Sequence, residues 1–318
     1  MAPSRTWSNK CCDRDLCNGN LPWRLQLLEN LGVLLDFHAQ NEDNTCLDNF
    51  FTGCWMQELK LIQTILDDVA VVALEKYADR ANVRVSSKLN ALDLLTEADE
   101  YLQALITERI LAEFPDDTVV GEELGSDVLP EDIHTRRAWV IDPIDGTQNF
   151  VRGLYASFGI SIGFVENGEA LAGGVHLPTI HEQFLAAKGQ GATRNGVPIQ
   201  VSDKPTLNVA RVEIDYGNPV HRNDIMHAFE DIVREAGEVR CHCAAVVGLC
   251  SVACGEMDAY FHTHLKPWDF AGAKIIVEEA GGTVHQINGD PVSVFDVGTS
   301  LFATNGHLHE ESLRRIRA

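Results

Sequence analysis

The chain has 318 residues, 45% of them apolar, enough to bury a sizeable core as one large domain or two closely joined lobes. Its 47 acidic residues against 25 Lys plus Arg leave a formal charge of −22, which argues against nucleic acid or an anionic membrane as a main partner. No apolar run approaches a membrane-spanning length, and nine cysteines, an odd number without a secretory signal, argue for a cytoplasmic protein without a disulfide framework. Residues 1–56 read as an N-terminal extension rich in Asn, Asp and Cys (Cys11, Cys12, Cys17, Cys46, Cys54), with no long periodic pattern and no assigned role.

From residue 57 the pattern becomes regular. The span 57–80 predicts a helix with Leu61, Ile65, Val69 and Val72 along one face. Thr96 is the N-cap expected for a second helix over 96–114. A β-branched strand over 117–121 places Glu122 at a strand terminus. Trp139, Val140 and Ile141 then form a strand that delivers Asp142, followed by Pro143, Ile144, Asp145, Gly146 and Thr147. Pro143 has a fixed φ and no amide donor, so a bent, stiff connection separates the two carboxylates and lets both point into one site. Close carboxylates repel unless a cation lies between them, and hard oxygen ligands suit Mg²⁺. Gly146 allows close backbone approach and Thr147 begins a helix, which together make a phosphate cradle beside a metal. An isolated string of this kind also serves as an Asx turn capping a helix.

Further acids decide between those readings. Strands over 157–165, 169–177 and 183–187 form a meander, with turn signals at Asn167-Gly168 and Asn195-Gly196. An alternating pattern follows: strand 209–214, helix 221–235, strand 239–241, helix 244–254, strand 258–261 and helix 267–280. Phe270, Ala273, Val277 and Ala280 set the helical period of the last, and Asp269 falls in its first turn. Antiparallel strands first and alternating elements later indicate an α+β protein of layered sheets and helices. Glu122, Asp142, Asp145 and Asp269 all stand at element ends, as a phosphate-clamping metal site requires.

The blocks Gly121-Glu122-Glu123, Asp142 to Thr147, and Trp268-Asp269 with Ala271-Gly272, preceded by Asp93 to Asp99 with Thr96, resemble the inositol monophosphatase family over roughly residues 57–318. The resemblance implies a layered α-β-α-β-α sandwich of the sugar-phosphatase type. It also implies an Mg²⁺-dependent, lithium-sensitive phosphatase with two or three ions per site, acting on a small-molecule phosphate ester as a homodimer. By that resemblance Glu122, Asp142, the Ile144 carbonyl, Asp145 and Asp269 hold metal, with Asp142 bridging two ions. Gly146 and Thr147 hold phosphate, and Thr147 with Asp99, and Glu122 from the other side, orient and deprotonate the attacking water. Lys88 stands where the family often carries a lysine near the site.

Specificity is open at this stage. Cys243, Ala244 and Ala245 occupy the family's sugar-binding stretch, and Asp145 and Asp269 also face substrate by resemblance. His262 stands where inositol-preferring members carry a glutamate; if charged it would favour an anionic group, helped by Arg240, His264 and Lys266. Inositol 1-phosphate is the leading substrate, with fructose 1,6-bisphosphate, a 3′-phosphorylated nucleotide or histidinol phosphate as alternatives; a non-catalytic regulatory relative is the reading from another class. Cys241, Cys243, His262 and His264 could also form a Cys₂His₂ zinc site if each pair shares a strand face, while Cys250 and Cys254 read as small hydrophobes on a helix.

Overall fold

A computed structural model describes residues 55–87, 94–124, 129–154, 157–217, 219–296 and 298–317. Lys88, Asp93 and the extension up to Cys54 lie outside the described residues. Helix α1 (Met56–Ala78) buries Ile62, Ile65, Leu66, Val69 and Ala73. Leu61 and Val72, expected on that face, sit at its flank. The short strands β1 (Val85–Ser87) and β2 (Leu94–Thr96) pair antiparallel and lead into α2 (Glu97–Glu113). Thr96 caps α2 as expected: its hydroxyl accepts from the Ala98 and Asp99 amides while Asp99 accepts from the Thr96 amide.

A seven-stranded sheet follows in chain order: β3 (Thr118–Gly121), β4 (Arg137–Asp145), β5 (Gly159–Glu166), β6 (Glu169–Leu177), β7 (Glu182–Ala187), β8 (Ala192–Arg194) and β9 (Val197–Pro198). Only β3 and β4 pair parallel; the rest form the expected meander. Positive φ at Asn167 and Gly168, and again at Asn195 and Gly196, gives the tight hairpin turns that the Asn-Gly pairs specify. Helix α3 (Thr147–Arg152) leaves the end of β4.

A second, five-stranded sheet has the order β11-β10-β12-β14-β13, built from β10 (Arg211–Ile214), β11 (Glu238–Arg240), β12 (Ala259–Leu265), β13 (Thr283–Gln286) and β14 (Thr299–Thr304). Between them run α4 (Arg222–Ala228), α5 (Glu230–Glu235), α6 (Ala245–Ala253) and α7 (Pro267–Glu279), and the late helix α8 (His309–Arg315) follows β14. The helix expected over 221–235 is divided at Phe229, whose backbone leaves helical geometry (φ −113°) as its ring buries against Phe261.

Three buried clusters define the layers. One joins α1 and α2 to one face of the large sheet through Trp139, Ile141 and Phe164. The second fills the space between the sheets, where α6 and α7 lie, with Val140, Leu249, Phe270, Tyr260 and Leu301. The third packs α4, α5 and α8 on the outer face of the small sheet through Ile225, Phe229, Phe261 and Leu308. The result is the α-β-α-β-α sandwich.

The middle layer is close-packed at glycines. A Cβ added to Gly173 would lie 2.3 Å from the Gly272 carbonyl oxygen, and one on Gly272 would lie 2.6 Å from Ser161 Oγ. Helix α7 therefore rests on β5 and β6 almost backbone to backbone.

Candidate active site

Strand β4 does not stop at Asp142, as the bent connection read from Pro143 implied; it continues to Asp145 through a bulge. Asp142 pairs with Ser161 and Asp145 with Gly159, so Pro143 and Ile144 together oppose one residue of β5. The extra residue has a geometric effect. Before it, odd-numbered Trp139 and Ile141 face α1 and α2; after it, Ile144 faces that cluster instead. Regular alternation would send Asp142 and Asp145 to opposite faces. The bulge turns both toward the inter-sheet layer, where Asp269 waits in the first turn of α7.

There Asp142, Asp145 and Asp269 bring carboxylate oxygens within 4.8 Å of one another. Each accepts a hydrogen bond from a backbone amide. Asp142 accepts from the Ile144 amide at 3.0 Å, Asp145 from the Val246 amide at 2.7 Å, and Asp269 from the Lys266 amide at 2.6 Å. Asp142 is only 1% exposed. Burial, and then the charges of Glu122, Asp145, Asp269 and Asp99, push its pKa well above the ordinary carboxylate range. Burial and the charge of Asp269 do the same to Asp145, against the pull of the Val246 amide.

Glu122 lies in a 3-10 turn, Glu122–Leu124, directly after β3 and beside β4, and its charge is the largest single one acting on Asp142. It is near the triad but outside its tightest cluster. Asp99 is fully buried at the start of α2, where the Thr147 hydroxyl lies 3.4 Å from Asp99 Oδ1 and donates to the Ile144 carbonyl at 3.0 Å. Gly146 precedes α3 with φ 87°, and a Cβ there would sit 3.0 Å from both Ala244 Cβ and the Ser157 carbonyl. Three converging carboxylates with Glu122 beside them, all hard oxygen donors, fit a divalent cation of the magnesium kind. A cation there would also offset the repulsion that raises the Asp142 and Asp145 pKa values.

The structure corrects the reading of the rim. His262 is largely buried, and its pKa falls to about 4 because burial disfavours the charged ring. It is neutral, so the proposed charge-based bias toward anionic substrates does not arise from it. Arg240 is half exposed and pairs with Glu238, and His264 stacks on His221 at 3.8 Å between ring centroids. The four zinc residues do not assemble either. Cys241 and Cys243 follow β11, which is separated by β10 from β12, the strand that carries His262 and His264. Two strand spacings of about 4.8 Å keep the pairs apart.

Several residues escaped the sequence reading. Asn149 is buried on α3 and donates to the Ser157 and His242 carbonyls at 2.7 Å each, tying the Gly146 turn to the Cys243 loop. Glu213 and Asp215, at and just after the end of β10, are buried; Glu213 holds the His242 ring at 2.8 Å and Asp215 the Cys243 amide at 2.8 Å. Burial, then the charge of Glu213, lifts the Asp215 pKa to about 7, while the Glu213 contact raises that of His242. The alternating pattern of Val212 to Ile214 signals a strand, but nothing local marks its acids as buried.

This architecture, with a carboxylate cluster where two sheets and a helix start converge, is that of a metal-dependent sugar-phosphatase sandwich. The sequence pattern of the inositol monophosphatase family matches residues 55–318, and the chain belongs to that family. It is 38% identical over 222 residues to the fructose-1,6-bisphosphatase/inositol-1-monophosphatase of Aquifex aeolicus, covering 69% of this chain and 80% of that one. It is 34% identical to inositol monophosphatase 2 of Mus musculus, covering 66% and 74%. Among solved structures, the IMPase of Thermotoga maritima superposes with a TM-score of 0.70 at 30% identity, covering 82% of this chain and 96% of that one.

Proposed function

We propose that residues 57–318 form a catalytic domain that hydrolyses the phosphate monoester of a small polyol, with inositol 1-phosphate as the leading substrate. The observation that carries this reading is the convergence of Asp142, Asp145 and Asp269 within 4.8 Å, with Glu122 and Asp99 acting electrostatically on Asp142. Glu122, Asp142, the Ile144 carbonyl, Asp145 and Asp269 would hold two or three Mg²⁺ ions. Bound Mg²⁺ offsets phosphate charge and makes a nearby water more acidic.

The chain's own groups do the rest. Gly146, free of a Cβ where one would meet Ala244, lets phosphate oxygens approach the turn before α3. The Thr147 hydroxyl, set between Asp99 and the Ile144 carbonyl, orients the attacking water and passes its proton toward the Asp99 carboxylate. Glu122 holds the water from the opposite side. Cys243, Ala244, Ala245 and a neutral His262 would border the leaving alcohol.

Fructose 1,6-bisphosphate is the second substrate, favoured by the double name of the Aquifex relative. In this reading the protein acts in the cytoplasm as a homodimer. Free Cys241, Cys243, Cys250 and Cys254 support a reducing compartment, and no helix among the described residues is long and apolar enough to cross a membrane. Phosphate release measured over inositol, sugar, nucleotide and histidinol phosphates tests the reading. Mg²⁺-dependent turnover, highest on inositol 1-phosphate and inhibited uncompetitively by millimolar Li⁺, is expected; no release from any of them sinks it.

A further inference from the structure

Two thiols stand at the rim: Cys243, which borders the leaving alcohol in that reading, and Cys241, which has no part in it. Cys241 and Cys243 are both exposed, and their sulfurs lie 3.4 Å apart. Asp215, 3% exposed, brings a carboxylate oxygen to the same place, so that this oxygen and both sulfurs lie within 4.8 Å of one another. The carboxylate is fixed by two donors, the Cys243 amide at 2.8 Å and the Tyr260 hydroxyl at 3.3 Å. Partners of this kind are what orient a metal-ligating carboxylate. Cys243 also holds a left-handed backbone, φ 56°, that a residue with a side chain adopts at a cost.

Tetrahedral zinc with sulfur at about 2.3 Å sets its two thiolates about 3.8 Å apart. The observed sulfurs need move only a few tenths of an ångström to reach that. Three protein ligands with one position open to solvent match the arrangement of zinc sites that accept an outside ligand. We propose that Asp215, Cys241 and Cys243 bind a thiophilic divalent cation of the zinc class, separately from the all-oxygen carboxylate triad.

The two sites sort cations by softness: thiolates discriminate against Mg²⁺, and the carboxylate triad favours it. They are also linked. Cys243 leads through Ala244 and Ala245 to Val246, whose amide holds Asp145, and the Asp215 charge acts on Asp145. An ion on the thiols therefore sits at the substrate mouth and inhibits turnover. This inhibitory consequence rests on the phosphatase reading; the binding site does not.

The test is a Cd²⁺ titration of the reduced full-length protein at saturating Mg²⁺, read by the near-ultraviolet thiolate-to-cadmium absorption and without substrate. Wild type should show one tight equivalent that is absent from Cys241→Ser and bound at least about tenfold more weakly by Asp215→Asn. Circular dichroism confirms that both variants fold. A Cys241→Ser titration indistinguishable from wild type, or unchanged affinity in Asp215→Asn, overturns the site. In a second arm, micromolar Zn²⁺ should inhibit phosphate release by wild type but not by Cys241→Ser, whose basal turnover is unchanged. Equal inhibition of the two overturns the regulatory consequence. Absence of any turnover faults the phosphatase reading instead and leaves the titration to decide the site.

Discussion

Asp142 concentrates the unfavourable electrostatics of the site, being buried beside Glu122, Asp145, Asp269 and Asp99. Asp142→Asn should lower kcat by roughly 10³ or more with the fold intact, because it removes the charge on which Glu122, Asp145, Asp269 and Asp99 all act. Phosphate release and circular dichroism on the same sample check it. The raised pKa values of Asp142 and Asp145 also carry a stability prediction for protein kept in chelator. A carboxyl whose folded pKa lies above its unfolded value stabilises fully below the unfolded value, about 4, and that contribution is lost as pH rises through the folded value. The Tm of chelated protein should therefore fall as pH rises above about 4, and Mg²⁺ should recover most of the loss. Asp142→Asn should flatten the fall; a pH-independent Tm in wild type would contradict the assignment. At His262 the ring is neutral, so any role in specificity is hydrogen bonding. His262→Glu should shift relative kcat/KM toward inositol phosphate and away from bisphosphates by roughly tenfold, leaving Mg²⁺ dependence alone. An unchanged ranking makes His262 a bystander.

At the scale of elements, the site depends on how β4, α3 and α7 are placed. Gly146→Ala meets both a positive φ and contacts at 3.0 Å, and should cost about 1–3 kcal/mol in thermal or denaturant unfolding. Gly272→Ala should lift α7 from β5, moving Asp269 outward and weakening Mg²⁺ activation more than it lowers Tm; an equal Km for Mg²⁺ would argue that α7 is positioned by other contacts. Much of this was legible in the sequence. Thr96 announced the N-cap of α2, Asn-Gly pairs announced both hairpin turns, and the apolar period of Phe270 to Ala280 placed Asp269 in a first turn. The bulge was not, because Pro143 signals only that regular structure is interrupted, and strand pairing with β5 decides how. Nor were β13, β14 and α8 foreseen: at four, six and seven residues they are too short to display a clear period. The burial of Glu213 and Asp215 depends on a helix and a loop distant in sequence, which local patterning does not encode.

For the molecule as a whole, the family match covers residues 55–318. Trp55 packs on Phe164 at 5.6 Å, so a chain begun just before it keeps that contact. Removing residues 1–54 should leave phosphate release within about twofold and Tm within a few degrees, a larger loss assigning the extension a structural role. The bulge in β4 has its own consequence. Strand alternation is binary, so the handedness of this site is a matter of parity: one residue inserted or deleted between Asp142 and Asp145 would invert Asp145 to the far side of the sheet without any intermediate geometry. Loops elsewhere in the chain can drift in length by small steps, and the rim that selects the alcohol can vary with them. The pair of acids can be kept or lost, but not gradually retuned.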